Sequence, residues 1–371
     1  MPMIAGWTVI LTALIYIGIL FLIAHYGDHA GRRLVQGGLQ ASIYSLTLAV
    51  FCSSWTFYGS VGVAADRGFE FLAIYIGPIV LFLLGQNFLR RIIRLTKSQN
   101  ITSIADFVAA RYGKNQTIAV LVSLIAVIGT VPYMALQLKA IASSIFVVFD
   151  TMQPADGNEP VITRQTLSLV ASLLLAGFAA AFGTRHVDTK EHQYGLMLDI
   201  AVESLIKLFC FIAVGLYVTF GMFEGLGEIF SRIAARENIV PFMDRSPGLG
   251  AFFIPAFLSG FAVFLLPRQF HVTMVENRNE EDFNLAVKLF PLYLIAINLF
   301  VLPLTLASDL VLPSGANRDM AVLELPLLGR NFFMMLIAFV GGLSAATAMV
   351  IVEGVALAIM ISNHIAIPLL L

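Results

Sequence analysis

Apolar stretches of membrane-crossing length recur along this chain, near 4–24, 39–62, 70–89, 117–148, 166–183, 194–221, 251–266, 284–307 and 331–361. A helix needs about 20 mainly apolar residues to cross the hydrocarbon core of a bilayer. The pattern therefore predicts an all-α polytopic membrane protein with about nine spanning helices. Composition agrees, since only 12% of the 371 residues are charged and 59% are hydrophobic, against about 25% charged in a soluble domain. The net charge of −1 leaves no basic field for nucleic acid. Cys52 and Cys210 lie in apolar runs without CxxC spacing, which makes them packing residues rather than metal or redox groups. The first run has no basic n-region and no small-residue cleavage site after it, so it reads as a span and not a cleaved signal. Polar connectors such as DTMQPADGNEP (150–160) and PSGANRD (313–319) separate the runs, and no soluble domain interrupts them.

Basic residues set an orientation. One set of loops carries Arg32, Arg33, Arg90, Arg91, Arg94, Lys97, Arg111, Lys114, Arg185, Lys190, Arg268, Arg278 and Lys288. The other carries Arg67, Arg164, Arg232, Arg236, Arg245, Arg318 and Arg330. Loops rich in Lys and Arg stay in the cytoplasm, so the expected N-terminus is outside and the C-terminus, after nine spans, inside.

Three segments carry chemistry unusual for lipid. FCSSWTFYGSVG (51–62) places hydroxyls and glycines inside the second run, and GGLSAATAM (341–349) repeats the pattern in the ninth. Such residues suit a helix that unwinds to line a cavity and equally suit close helix packing; the repetition favours the cavity. AVESLIKL (201–208) carries Glu203 and Lys207, although one charge at bilayer depth costs about 2.5–3.5 kcal/mol on the lenient scale. Their spacing allows an internal salt bridge across one turn. Glu353, at similar depth, has Lys139 as its candidate partner. His186, His192, His271 and His364 read as solvated loop histidines, with His271 the candidate sensor of pH or a partner.

The extra first helix, the second run opening on Gly37-Gly38, the position of SSW (53–55) and the Gly341–Ser344 cluster together resemble the sodium:solute symporter family over nearly the whole chain. FGTRHVD (182–188), AVESLIKL and LPRQFHVTMVEN (266–277) are similar to the transporter-like sensor region of CbrA-type bacterial sensor histidine kinases. The resemblance implies a LeuT-like fold of two inverted repeats with an extra N-terminal helix: 1–38 for that helix and its loop, 39–221 for the first repeat, and 251–371 for a second repeat lacking its last two core helices. It implies a fragment in the bacterial inner membrane that binds a small polar solute, an amino acid such as histidine. Attached cytoplasmic kinase domains would read solute occupancy, so this chain itself is expected to catalyse nothing. The alternative is a stand-alone symporter; a purely structural anchor is disfavoured, because anchors have no use for intramembrane charges.

Candidate solute contacts are Ser53, Ser54, Trp55, Tyr58, Tyr133 and Gln137. An unwound segment offers free amides and carbonyls, and aromatics can close over a side chain, although Trp55 and Tyr58 could equally belong to an interfacial belt. The family's sodium site falls on the carbonyls of Ala49, Cys52 and Gly341 and the hydroxyl of Ser344. Its second hydroxyl position is Ala345, and Phe51 stands where some members carry an acid, so sodium coupling is weakened. Lys207 is the departure: its ammonium is expected to meet Ala49, Cys52 and Ser344 in place of sodium. Burial and Glu203 act on such an amine in opposite directions, which makes the pair a candidate for proton coupling. No metal, cofactor or nucleic-acid partner is expected.

Overall fold

The computed structural model describes residues 2–36, 38–151, 194–236, 240–245, 248–313 and 315–370, with isolated positions between 166 and 177. The run expected at 166–183, and with it His186 and His192, lies outside these residues. No strand occurs among them. Six helical stretches are long and apolar enough to cross a membrane, and a bent pair makes a seventh. The fold is thus all-α and polytopic, as the recurring apolar runs require.

Helix α1 (Pro2–Gln36) packs one face onto the core. It buries Val9, Tyr16, Leu20 and Ala24 and turns Leu11, Leu14, Ile15 and Leu22 outward. Outward-facing leucines are what lipid, unlike water, leaves unpenalised. The second apolar run is not one helix. Helix α2 (Gln40–Thr47) tightens into a 3₁₀ turn at Leu48–Phe51. The chain then becomes extended at Cys52 (φ −81°, ψ 98°) and resumes as a π turn, Trp55–Gly59, followed by α3 (Ser60–Arg67). Gly68, with φ 58°, ends that helix in the left-handed region that glycine tolerates. Helix α4 (Ala73–Leu84) and the amphipathic α5 (Gln86–Ser98) follow. Leu89, Ile92 and Ile93 face inward, and the basic residues of α5 face out.

After α6 (Ile104–Arg111), α7 runs over Gln116–Thr151 and α8 over Tyr194–Tyr217. A short α9 (Leu226–Ala234) precedes α10 (Leu249–Leu265). Helix α10 bends by 57° into the next segment, which is α11 (Pro267–Phe270) continued by a π turn to Val275. Pro267 explains the bend: it cannot donate to the preceding turn, and it forces Leu266 out of the helical region (φ −69°, ψ 132°). Helices α12 (Asp282–Asn298), α13 (Val301–Val311), α14 (Ala321–Leu328) and α15 (Phe332–Ile361) complete the core. Helix α15 and its extension are central, with 83% of their most apolar window buried, against 17% for α7.

Two contacts show how the helices come this close. Basic residues of α5 clasp the segment before α12 and that helix's first turn: Arg94 pairs with Glu280 at 2.5 Å, Lys97 reaches Asn277 at 2.8 Å, and Arg90 donates to Asn284 of α12 at 2.6 Å. In α4, a Cβ on Gly77 would overlap the Ala256 carbonyl and the Ser259 hydroxyl of α10. Gly77→Val is therefore expected to force the two helices apart, at the cost of about 1–3 kcal/mol typical of overpacking, and to lower the melting temperature of the detergent-purified protein.

Candidate functional site

The two interrupted helices meet at the centre of the fold. Tyr44 of α2 donates to the Thr273 carbonyl at 2.7 Å, and Gln269 of α11 reaches the Leu48 carbonyl at 3.4 Å. Around the first break, the backbone loses its helical partners and finds side chains instead. The Ser54 amide and hydroxyl donate to Gln137 Oε1 at 3.0 and 2.7 Å, and the Ser53 hydroxyl lies 2.7 Å from the Tyr133 hydroxyl. Tyr133 and Gln137 are four residues apart on α7, hence on one face. Four of the six candidate solute contacts thus form one network. Trp55 is half-buried beside them, its ring 6.4 Å from that of Tyr75.

Tyr58 belongs elsewhere. Its ring packs edge-on against Phe57, its hydroxyl sits 3.5 Å from the Ala338 carbonyl, and a Cβ on Gly342 would overlap it. A Cβ on Gly341 would likewise overlap Phe57 and Cys210. The glycine pair therefore lets α15 approach the π turn, and the packing reading of GGLSAATAM holds for these two residues.

On the opposite side of the break stands Lys207 of α8, fully buried. Its Nζ donates to the carbonyls of Ala49 at 2.8 Å and Cys52 at 2.7 Å. Both carbonyls lie at the break; that of Ala49 also accepts from the Cys52 amide at 3.0 Å, so Lys207 is its second donor. Ser344 does not join them; its hydroxyl donates to the Glu203 carbonyl at 2.8 Å. The one-turn salt bridge is also absent, since no ion pair links Glu203 to Lys207 among the described residues. Glu203 instead accepts from Thr347 at 2.5 Å and from Tyr16 of the extra helix at 3.3 Å.

Two further expectations need correction. Glu353 pairs with Arg268, Nη1 to Oε2 at 2.8 Å with both side chains buried, while Lys139 faces outward. Arg268 is therefore no loop cation: it follows the α10 break directly, and its Cζ lies over the Tyr133 ring, 5.0 Å from the ring centre. Proline interrupting an apolar run immediately before an arginine was the signal in the sequence. His271 and His364 are buried rather than solvated. Nε2 of His271 lies 3.5 Å from Glu276, and that of His364 lies 3.2 Å from Asp106. Burial pushes the Asp106 carboxyl up, but hydrogen bonds from His364 and Thr102 hold it below its usual range.

Residues 29–150 match the model of the Sodium:solute symporter family. Two curated relatives from Bacillus subtilis (strain 168) are described as uncharacterized symporters. YhjB is 21% identical over 83% of this chain and 59% of its own length, and YodF 25% identical over 80% and 55%. The chain thus spans a little over half the length of these relatives. Among solved structures, a Na+-coupled sialic acid symporter in a substrate-bound outward-open state superposes with a TM-score of 0.67 at 14% identity, over 98% of this chain and 75% of that one. The chain is therefore a symporter-like membrane domain of the LeuT-like inverted-repeat class, in which the two interrupted helices face each other and α1 is the added helix.

Lys207→Ala should remove the side-chain donor from the buried Cys52 carbonyl and leave the Ala49 carbonyl with the Cys52 amide alone. At about 1–3 kcal/mol for an orphaned group, the variant is expected to melt below wild type in detergent, while Lys139→Ala, at an exposed position, should not.

Proposed function

We propose that this domain binds a small polar solute, an amino acid such as histidine, between the two broken helices. On this reading it is the input module of a bacterial sensor histidine kinase in the inner membrane. The observation that carries the solute site is the buried network at the first break, where Ser53, Ser54, Tyr133 and Gln137 converge beside the half-exposed Trp55. Polar groups of this density inside a membrane domain belong to solute or ion paths rather than to anchoring. Solute occupancy would bias the two broken helices toward one arrangement, and attached cytoplasmic domains would read that bias. The domain itself performs no catalysis on this reading. A stand-alone symporter is the second reading, favoured by the description of both relatives as symporters.

The lysine supports coupling without sodium. An ammonium donating to Ala49 and Cys52 fills the position where a bound cation would find those carbonyls, and a lysine, unlike a metal ion, can release a proton. Glu203 and Lys207 are proposed as the coupling pair, with Ser344 bracing Glu203 through its backbone.

Three measurements test this reading on the intact parent protein. Trp55→Ala should insert normally and bind L-histidine at least tenfold more weakly in a binding assay; unchanged affinity puts the pocket elsewhere. Solute binding should be insensitive to sodium yet depend on pH, and Lys207→Met should remove the pH dependence; a sodium requirement, or a wild-type pH profile in the variant, overturns the coupling. Reporter fusions at residue 100 should report the cytoplasm, with the N-terminus outside; a periplasmic reporter overturns that topology.

A further inference from the structure

Several polar atoms around this site are buried and lack a hydrogen-bond partner among the described residues; Arg268 Nε, Gln137 Nε2 and Glu353 Oε1 are three of them, beside Gln269 Oε1, Thr273 Oγ1, Tyr75 Oη and Glu203 Oε2. Each of the first three belongs to a side chain whose other atoms are already fixed. The Gln137 carbonyl oxygen accepts from the Ser54 amide and hydroxyl, which forces its NH₂ group to the other side. Arg268 uses Nη1 for Glu353 and holds its Cζ over the Tyr133 ring, 5.0 Å from the ring centre. A guanidinium over an aromatic ring still has N–H donors to offer, and here Nε is without a partner among the described residues. Tyr133 links the two donors, since it sits one turn from Gln137 and beneath Arg268. Arg268 itself is 2% exposed, and Gln137 and Glu353 are fully buried.

We propose that Arg268 and Gln137 take the carboxylate of the bound solute and that the free oxygen of Glu353 takes its ammonium, so that the site selects zwitterionic α-amino acids. This inference rests on the solute-site reading above and names the groups that read the solute. Two donors tied through Tyr133 and one acceptor ion-paired to Arg268, all buried, are complementary to a carboxylate and an ammonium together. The charges agree as well. Arg268 and Glu353 sum to zero, so a solute of zero net charge enters without leaving an uncompensated charge at membrane depth, whereas a simple acid or a simple amine leaves one. Side-chain selection would then fall to Trp55 and its surroundings, apart from the groups that hold the backbone of the solute.

The test uses the full-length protein in nanodiscs. Thermal shift against the twenty L-amino acids finds the best binder, and its decarboxylated amine and deaminated acid are measured beside it. Wild type should bind the amino acid at least tenfold more tightly than either analogue. Arg268→Gln/Glu353→Gln, which keeps the pair neutral, should lose roughly tenfold to hundredfold in affinity, as expected for removal of charge-assisted hydrogen bonds, and should no longer prefer the amino acid. Arg268→Lys keeps the charge but not the planar fork, and it supplies the same readout if the double variant does not fold; its expected change is weaker binding with reduced preference over the amine. Unchanged affinity and preference in a folded variant overturns the inference and leaves the solute site standing, as does a wild type that binds the amine as tightly as the amino acid. A wild type that binds none of the amino acids or analogues overturns the solute site, and this inference with it.

Discussion

Breaking a helix inside a membrane exposes carbonyls that lipid cannot satisfy, and the centre of this fold depends on Lys207. It donates to the Cys52 carbonyl and adds a second donor to that of Ala49, already bonded to the Cys52 amide. Its Nζ holds the Ala49 and Cys52 carbonyls just where the chain passes from a 3₁₀ turn through an extended residue to a π turn. With the carbonyls held from α8 and the Ser54 amide held from α7 by Gln137, the broken segment is fixed from both sides. The unwound geometry is thereby compatible with burial.

Glu203, Arg268 and Glu353 are likewise held by partners from other helices. Glu203 takes hydroxyl donors from Thr347 and Tyr16, which ties α8 to the central α15 and to the extra helix α1. Arg268 and Glu353 neutralise each other across α11 and α15. Buried pairs of this kind contribute little net stability relative to apolar packing. What they supply is a set of polar groups held in place at a depth where none would otherwise persist. Close helix approach completes the arrangement: Gly341 and Gly342 admit Phe57 and Tyr58 against α15, and Gly77 admits the backbone of α10.

A TM-score of 0.67 at 14% identity to a sialic acid symporter shows how far the architecture outlasts the residues that fill it. In this chain the break is held by a lysine from α8 and by a glutamine from α7, and an arginine follows the second break. Architecture of this kind provides two facing interruptions; the side chains around them decide which solute and which ion they serve.

Much of this was legible in the sequence. Apolar runs of spanning length dictate helices, because a bilayer leaves few other ways to satisfy the backbone. Serines and glycines within the second run marked its interruption, and charges in AVESLIKL and at Glu353 marked groups that need partners. Which partners they take was decided only by the tertiary structure. Spacing of four residues placed Glu203 and Lys207 on one face of α8, but a backbone carbonyl or a hydroxyl from another helix competes with a helical neighbour, and the broken helix brought such carbonyls within 2.8 Å of Lys207. Arg268 read as a loop cation because local composition carries no depth; the bend at Pro267 carries it into the core against Glu353. His271 and His364 became buried for the same reason, since helices continue past the residues where polarity suggests they end. Sequence sets the period and the polarity of each segment, whereas pairing between segments far apart in the chain is a property of the packed fold.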